Sequence, residues 1–381
     1  MTARRPRWIP WVVVGIIVAL CAGAAAFLVP PALEYRAAEQ RYERALAEHG
    51  RASEDRDAAR SRWDAAHSDV AGTLELADAA TPEAALPYLD EARVGDVREL
   101  AELIRGAADD ATAPETPDAD ASKPETTDEL DAAADELEAQ ADAASAAAER
   151  YDDATKIVAE RAPELAAAVD ALRASIPDRA EQLEEANVSA TAQSRIRLHY
   201  AADAAATGEE SVEYYVTAYA EAAAAVEQSQ RDELAEKDQG DGLIDVRLEI
   251  EEFVRSITGG VRVDFDWAPV VNGLGEGDSA GGRVTWQYLD GGSATMELSN
   301  SVAAHWPDPR YESLVAHESG HVITAKCQDM LTDAFDGDAE LMATAWAIGM
   351  GYDDPWGNGV NFYYNGVAPA QDLVDETTSC R

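Results

Sequence analysis

The residues with the clearest chemical potential are Leu314-Val315-Ala316-His317-Glu318-Ser319-Gly320-His321-Val322-Ile323. Two histidines four positions apart on a helix are separated by about 400°, so both imidazoles project from one face and can share a metal ion. Glu318 lies about 100° further round, close enough to reach a water held by that ion without displacing it. This is the His-Glu-x-x-His arrangement, and its chemistry is hydrolysis assisted by a divalent cation. Leu314, Val315, Val322 and Ile323 flank the motif and predict a buried helix, started by Asp308 or Pro309.

Two imidazoles leave such a cation short of a ligand. No histidine follows His321, and Glu340 lies 19 residues beyond it in the helix-forming run Ala339-Glu340-Leu341-Met342-Ala343-Thr344-Ala345-Trp346. Asp336 and Asp338 are the other carboxylates at hand, and both also suit a loop or a helix N-cap. With these residues the chain resembles the zincin metallopeptidases. The absence of a third histidine separates it from the metzincin branch, and the helix bearing Glu340 is similar to the ligand helix of the gluzincin branch. That resemblance implies a Zn2+ site of His317, His321 and Glu340 with the fourth position open. It also implies Glu318 as general base and a peptide or protein substrate cut by a metal-activated water. Gluzincins often carry an acidic residue four places after the ligand; here Thr344 stands there. An oxyanion donor is also implied, for which Tyr352, Tyr363, Tyr364 and His305 are candidates.

These residues need a scaffold. Residues 245–257 read as an amphipathic helix and Val261–Trp267 as a strand. Arg283–Leu289 and Ser293–Ser299 form a hairpin over Asp290-Gly291-Gly292. The order of helix, strands, active-site helix and ligand helix is that expected of a zincin catalytic domain, placed at 241–381. In such domains an edge strand lines the cleft, a role that falls to Ala294–Asn300. Asn272-Gly273-Leu274-Gly275-Glu276-Gly277 superficially suggests a phosphate loop, but it is acidic, lacks a lysine and leads into a strand. Cys327 and Cys380 are candidates for a disulfide, which an oxidising compartment outside the cell permits.

Composition separates this domain from the rest. Seventeen of 25 glycines and five of eight tryptophans lie after residue 240, whereas the earlier part is rich in Ala, Glu, Asp and Arg, the composition of long helices. Tyr35, Tyr42, His49, Arg56, Trp63 and Val70 form one heptad column, with Ala38, Ala45, Ala52, Ala59 and Ala66 as the second. A second seam runs through Leu130, Leu137, Ala144, Tyr151, Val158, Leu165 and Leu172, with Ala134, Ala141, Ala148, Thr155, Ala162, Val169 and Ile176 four residues on. Pro163 should kink or interrupt it. The expected layout is a coiled-coil arm at 31–105, a disordered acidic Pro/Thr linker at 106–127 and a helical coiled-coil region at 128–240. The simplest packing lays the seams together as an antiparallel hairpin; self-association, or a partner helix, through one seam is the other.

Residues 9–29 carry no charge over 21 positions, about 32 Å as a helix and enough to cross a bilayer. Arg4, Arg5 and Arg7 precede them, so residues 1–8 are expected in the cytoplasm and the catalytic domain outside the cell. A cleaved signal peptide is the competing reading. With 30 basic and 74 acidic side chains, a net charge of −44, nucleic acid is excluded as a partner. The expected fold class is thus α+β: a transmembrane helix, an Ala-rich coiled-coil stalk and a zincin-like catalytic domain. The expected protein is a membrane-anchored, extracytoplasmic zinc peptidase. The alternative is a non-enzymatic cell-surface coiled-coil scaffold whose zinc site is degenerate or structural.

Overall fold

The computed structural model describes residues 9–112, 122–208, 211–239, 242–277 and 279–381, with residues 9–31 as helical backbone alone. The expected membrane span, 9–29, therefore lies outside the residues described with side chains. Among the described residues no helix is long and apolar enough to cross a membrane. The fold is α+β: mostly helical, with one three-stranded sheet. The chain divides into two compact units, residues 1–78 with 95–170 and residues 79–94 with 171–381.

Long helices build the first unit: α1 (Ile9–Ala80), α2 (Glu91–Asp110) and α3 (Thr127–Ala174). Ala38, Tyr42 and Ala45 of α1 form one core cluster with Leu130, Ala134 and Leu137 of α3. Further along, Ala52 packs with Ala141 and Ala144. Ion pairs follow the same order, Arg41 with Asp135 and Glu138, then Arg62 with Asp152. Rising numbers on α1 meet rising numbers on α3, so the seams run parallel, not as the expected antiparallel hairpin. The chain has to return between Ala80 and Thr127, and α2 lies on that return. Helix α2 also extends to Asp110, into the stretch expected as linker; residues 113–121 lie outside the described residues. Helix α3 continues through Pro163, whose exposed ring faces away from the core. The buried column shifts from the expected Ala148 and Thr155 to Ala147 and Ala154, and is back on the expected column at Val169 and Ile176.

The second unit holds α4 (Ile176–Ala186), α5 (Ala192–Thr207) and α6 (Val212–Lys237), then α7 (Ile244–Ile257). Three strands follow, β1 (Arg262–Ala268), β2 (Gly282–Gln287) and β3 (Ser293–Ser299). A boundary at 240/241 does not appear, because polar contacts tie α4 and α5 to the sheet. The Arg262 guanidinium donates to Glu184 at 2.8 Å, and the Ala192 N–H donates to the Asp264 carboxylate at 2.6 Å.

Strand order is β1-β3-β2, with β3 parallel to β1 and antiparallel to β2. The expected hairpin is present, but β3 is the central strand, so the edge role assigned to Ala294–Asn300 is corrected. The segment joining β1 to the hairpin lets β1 add beside β3, leaving β2 as the antiparallel edge. Alternation along the strands sends Val263, Phe265, Val284, Ala294, Met296 and Leu298 to one face. There they form a core with Ile250 and Val254 of α7 and with Val315 and Val322 of the next long helix. That helix is α9 (Pro309–Ile323), preceded by the short α8 (Asn300–His305) and begun by Asp308 and Pro309 as expected. After the short α10 (Gln328–Asp333) comes α11 (Ala339–Gly349). Ile323, Met342, Ala345, Trp346 and Val374 form a second core, beside which Cys327 and Cys380 stand at disulfide distance with Cα atoms 6.4 Å apart. Two short helices, α12 (Val360–Tyr363) and α13 (Gln371–Glu376), complete the chain.

Candidate metal centre

Helix α9 is buried between the inner face of the sheet and α11, with every residue from Val315 to Ile323 buried. That is why its polar residues end up inside: His317 is 2 %, Glu318 5 % and His321 7 % exposed. Charged and polar groups are taken out of water at such cost that they must find partners. Gly320 sets how closely α11 approaches. A Cβ there would lie 2.6 Å from Ala343 Cα and 2.9 Å from Ala343 O, so only a glycine lets the helices touch backbone to backbone.

One turn back from Ala343, Glu340 faces the histidines. Its Oε2 lies 3.1 Å from His317 Nε2 and 3.3 Å from His321 Nε2. One ligand atom from each of the three residues lies within 4.8 Å of the others. Asp338, the competing carboxylate, is instead the N-cap of α11 and accepts from the Leu341 N–H at 3.0 Å. Asp336 occupies a left-handed turn position, φ 51°.

The donor set fits a divalent cation. His317 Nδ1 lies 3.1 Å from the backbone carbonyl oxygen of Asn358, which can only accept, so Nδ1 carries the proton and the Nε2 lone pair faces Glu340. This is the tautomer and the supporting contact that a metal-ligating imidazole needs. Thr344 Oγ1 stands 3.3 Å from the same Nδ1. A backbone carbonyl and a hydroxyl thus both stand within reach of His317 Nδ1. Gly359 keeps this corner open: at φ +86°, a Cβ would lie 3.1 Å from His317 Cε1. Burial pushes the Glu340 carboxyl up, but hydrogen bonds with His317 and His321 outweigh it and hold it well below the usual range. Burial lowers His321, and the contact with Glu340 and the Glu318 charge more than reverse this.

Glu318 has a different environment. Burial raises its carboxyl above the ordinary value despite the two histidines, and Oε2 has no hydrogen-bond partner among the described residues. The edge strand closes over it: a Cβ on Gly282 would lie 2.3 Å from Glu318 Oε1. Four residues on, the Trp286 ring stacks on His321 with centroids 6.0 Å apart. No family model, curated protein or solved structure matches the chain, and what the site can do rests on this chemistry alone.

Among the expected oxyanion donors, Tyr363 is brought to the histidines, its ring stacked on His317 at 5.7 Å. Burial, then the charges of Glu340 and Glu318, push its phenol above the usual value, so it keeps its proton and can donate. Tyr352 instead packs edge-on to Phe253, and His305 stacks on Tyr311 at 4.9 Å. Tyr364 lies next to Tyr363, its ring 6.2 Å away. Sequence reasoning missed Asn358, Gly282, Gly320 and Trp286. Asn358 acts through its backbone and the two glycines through having no side chain, so none carries a motif. Trp286 could have been found as an inward-facing aromatic of a strand preceding the motif.

Proposed function

We propose that the second unit is a zinc-dependent peptidase of zincin type, with His317, His321 and Glu340 as ligands. The observation that carries this reading is the convergence of two Nε2 atoms on one carboxylate oxygen, with a second carboxylate buried beside them whose Oε2 has no hydrogen-bond partner among the described residues. A structural zinc site has four protein ligands, whereas the three here leave a position for a reactant. Zinc, when bound, supplies Lewis acidity toward water and the scissile carbonyl. Glu318 takes the proton of the attacking water, a task its raised pKa suits, and returns it to the leaving amine. Tyr363 donates its hydroxyl to the developing oxyanion. The edge strand β2 holds an extended peptide beside Glu318 by main-chain pairing. The uncharged stretch 9–29 behind Arg4, Arg5 and Arg7 anchors the chain, with the enzyme outside.

The decisive experiment uses the full chain in detergent with peptide libraries and metal analysis. Glu318→Gln should keep one zinc per chain and lose hydrolysis by at least about a hundredfold; retained hydrolysis would refute the assigned base. His317→Ala and Glu340→Ala should each lose the metal. Stoichiometric zinc in either variant would refute the ligand set.

A further inference from the structure

A cavity of about 520 Å³ lies between α5 and the outer face of the sheet. Its wall includes Gln193, Arg197 and Tyr200 of α5, Thr285 and Gln287 of β2, and Thr295 of β3. Two carboxylates also face it, and both are occupied. Asp264 accepts from the Ala192 N–H, and Asp290 accepts from the Tyr200 hydroxyl. Arg197 is different: it is exposed and makes no ion pair among the described residues. It is the one basic side chain among the cavity's lining residues, and its donors are left for an acceptor from outside.

The cavity is coupled to the metal centre through β2. Gly282 abuts Glu318 and Trp286 stacks on His321, both on the inner face. Thr285 and Gln287, on either side of Trp286, face the cavity on the outer face. Side chains of a peptide paired along β2 would alternate in the same way, at ~3.3 Å per residue. The peptide residues beside Thr285 and Gln287 therefore send their side chains to the cavity. They flank, one position to either side, the peptide residue beside Trp286, which faces the ligand histidines.

We infer that this cavity is a substrate subsite that reads a peptide carboxylate through Arg197. The inference rests on the peptidase reading above. The carboxylate has two sources, an acidic side chain or the peptide's own C-terminus, and a guanidinium recognises either through charge-assisted hydrogen bonds.

The test is a positional scan on the zinc-loaded full chain. Peptides carry Glu or Gln at each position in turn, each with a free or amidated C-terminus. The expected result is a preference of about tenfold in kcat/KM for the carboxylate at one position near the cut, expressed in KM. Preference confined to the free C-terminus would assign the same subsite to the terminal carboxylate. In Arg197→Gln the preference should fall to near unity. Hydrolysis with no carboxylate preference, or with a preference that survives Arg197→Gln, would overturn the subsite and leave the peptidase reading standing. Binding of the same peptides to the Glu318→Gln protein gives a second readout. Arg197-dependent binding there, with no hydrolysis by the parent chain, would sink the peptidase reading and not the subsite.

Discussion

Replacing Gly320 by alanine tests whether helix packing, as distinct from the ligands themselves, creates the proposed metal site. The new Cβ would lie 2.6 Å from Ala343 Cα and 3.1 Å from Ala343 Cβ. Carbon atoms pack at ~3.5–4.0 Å, so α11 must retreat by about 1 Å. The obstacle is backbone and cannot swing aside. Glu340 sits one turn from Ala343 on the same face, so its carboxylate retreats with the helix. Metal–ligand distances tolerate only about 0.2 Å. Overpacking of this size costs ~1–3 kcal/mol, and the metal-bound state, which needs α11 close, carries most of it. At ~1.4 kcal/mol per tenfold, zinc binding should weaken about 5- to 150-fold. Competition against a chromogenic chelator gives the affinity, and melts of the apo and zinc-loaded protein show where the strain falls. The zinc-induced rise in Tm should shrink. Zinc affinity equal to that of the parent chain would refute the argument that the α9–α11 spacing sets the site.

Tyr363→Phe should keep the zinc and lower kcat on the order of a hundredfold; a variant with parental kcat would remove Tyr363 from the reaction. Cys327→Ser should lower stability by up to ~4 kcal/mol, since the pair closes 53 residues of separation. Denaturant unfolding with and without reductant measures this, and an unchanged midpoint would count against the crosslink. Glu184 gives a pH prediction. Burial pushes its carboxyl up, but Arg262 and His199 hold it below its ordinary 4.5. Its contribution is therefore present above about pH 4.5 and lost as pH falls through the lowered value. The stability gap between parent and Glu184→Gln should shrink between pH 7 and pH 3, and a constant gap would contradict it.

Local pattern was legible wherever a short-range rule governs it. The spacing of His317, Glu318 and His321 follows from helix periodicity, and Asp308-Pro309 marks the start of their helix. The strand Ser293–Ser299 and the hairpin before it follow from alternation and turn glycines. The heptad columns named most of the buried residues of α1 and α3. By contrast, a seam does not say in which direction its partner runs, because parallel and antiparallel pairings bury the same columns. The parallel course of α1 and α3 came from ion pairs between residues some 90 positions apart. Similarly, a hairpin does not reveal what adds to its far side, and β1 made the expected edge strand central.

The amino-acid order by itself determined which chemistry this protein carries: two imidazoles and a carboxylate on one helix, with a further carboxylate on the next. Only the tertiary structure decided which acidic residue meets the histidines, because Asp336, Asp338 and Glu340 lie within five positions of one another. Their fates differ through contacts invisible in one dimension: a left-handed turn at Asp336, a capped helix end at Asp338, and a glycine that lets Glu340 come close. Backbone groups such as the Asn358 carbonyl are present at every position, so nothing in their own residue marks them. Chain folding alone brings that carbonyl to His317, across 41 residues.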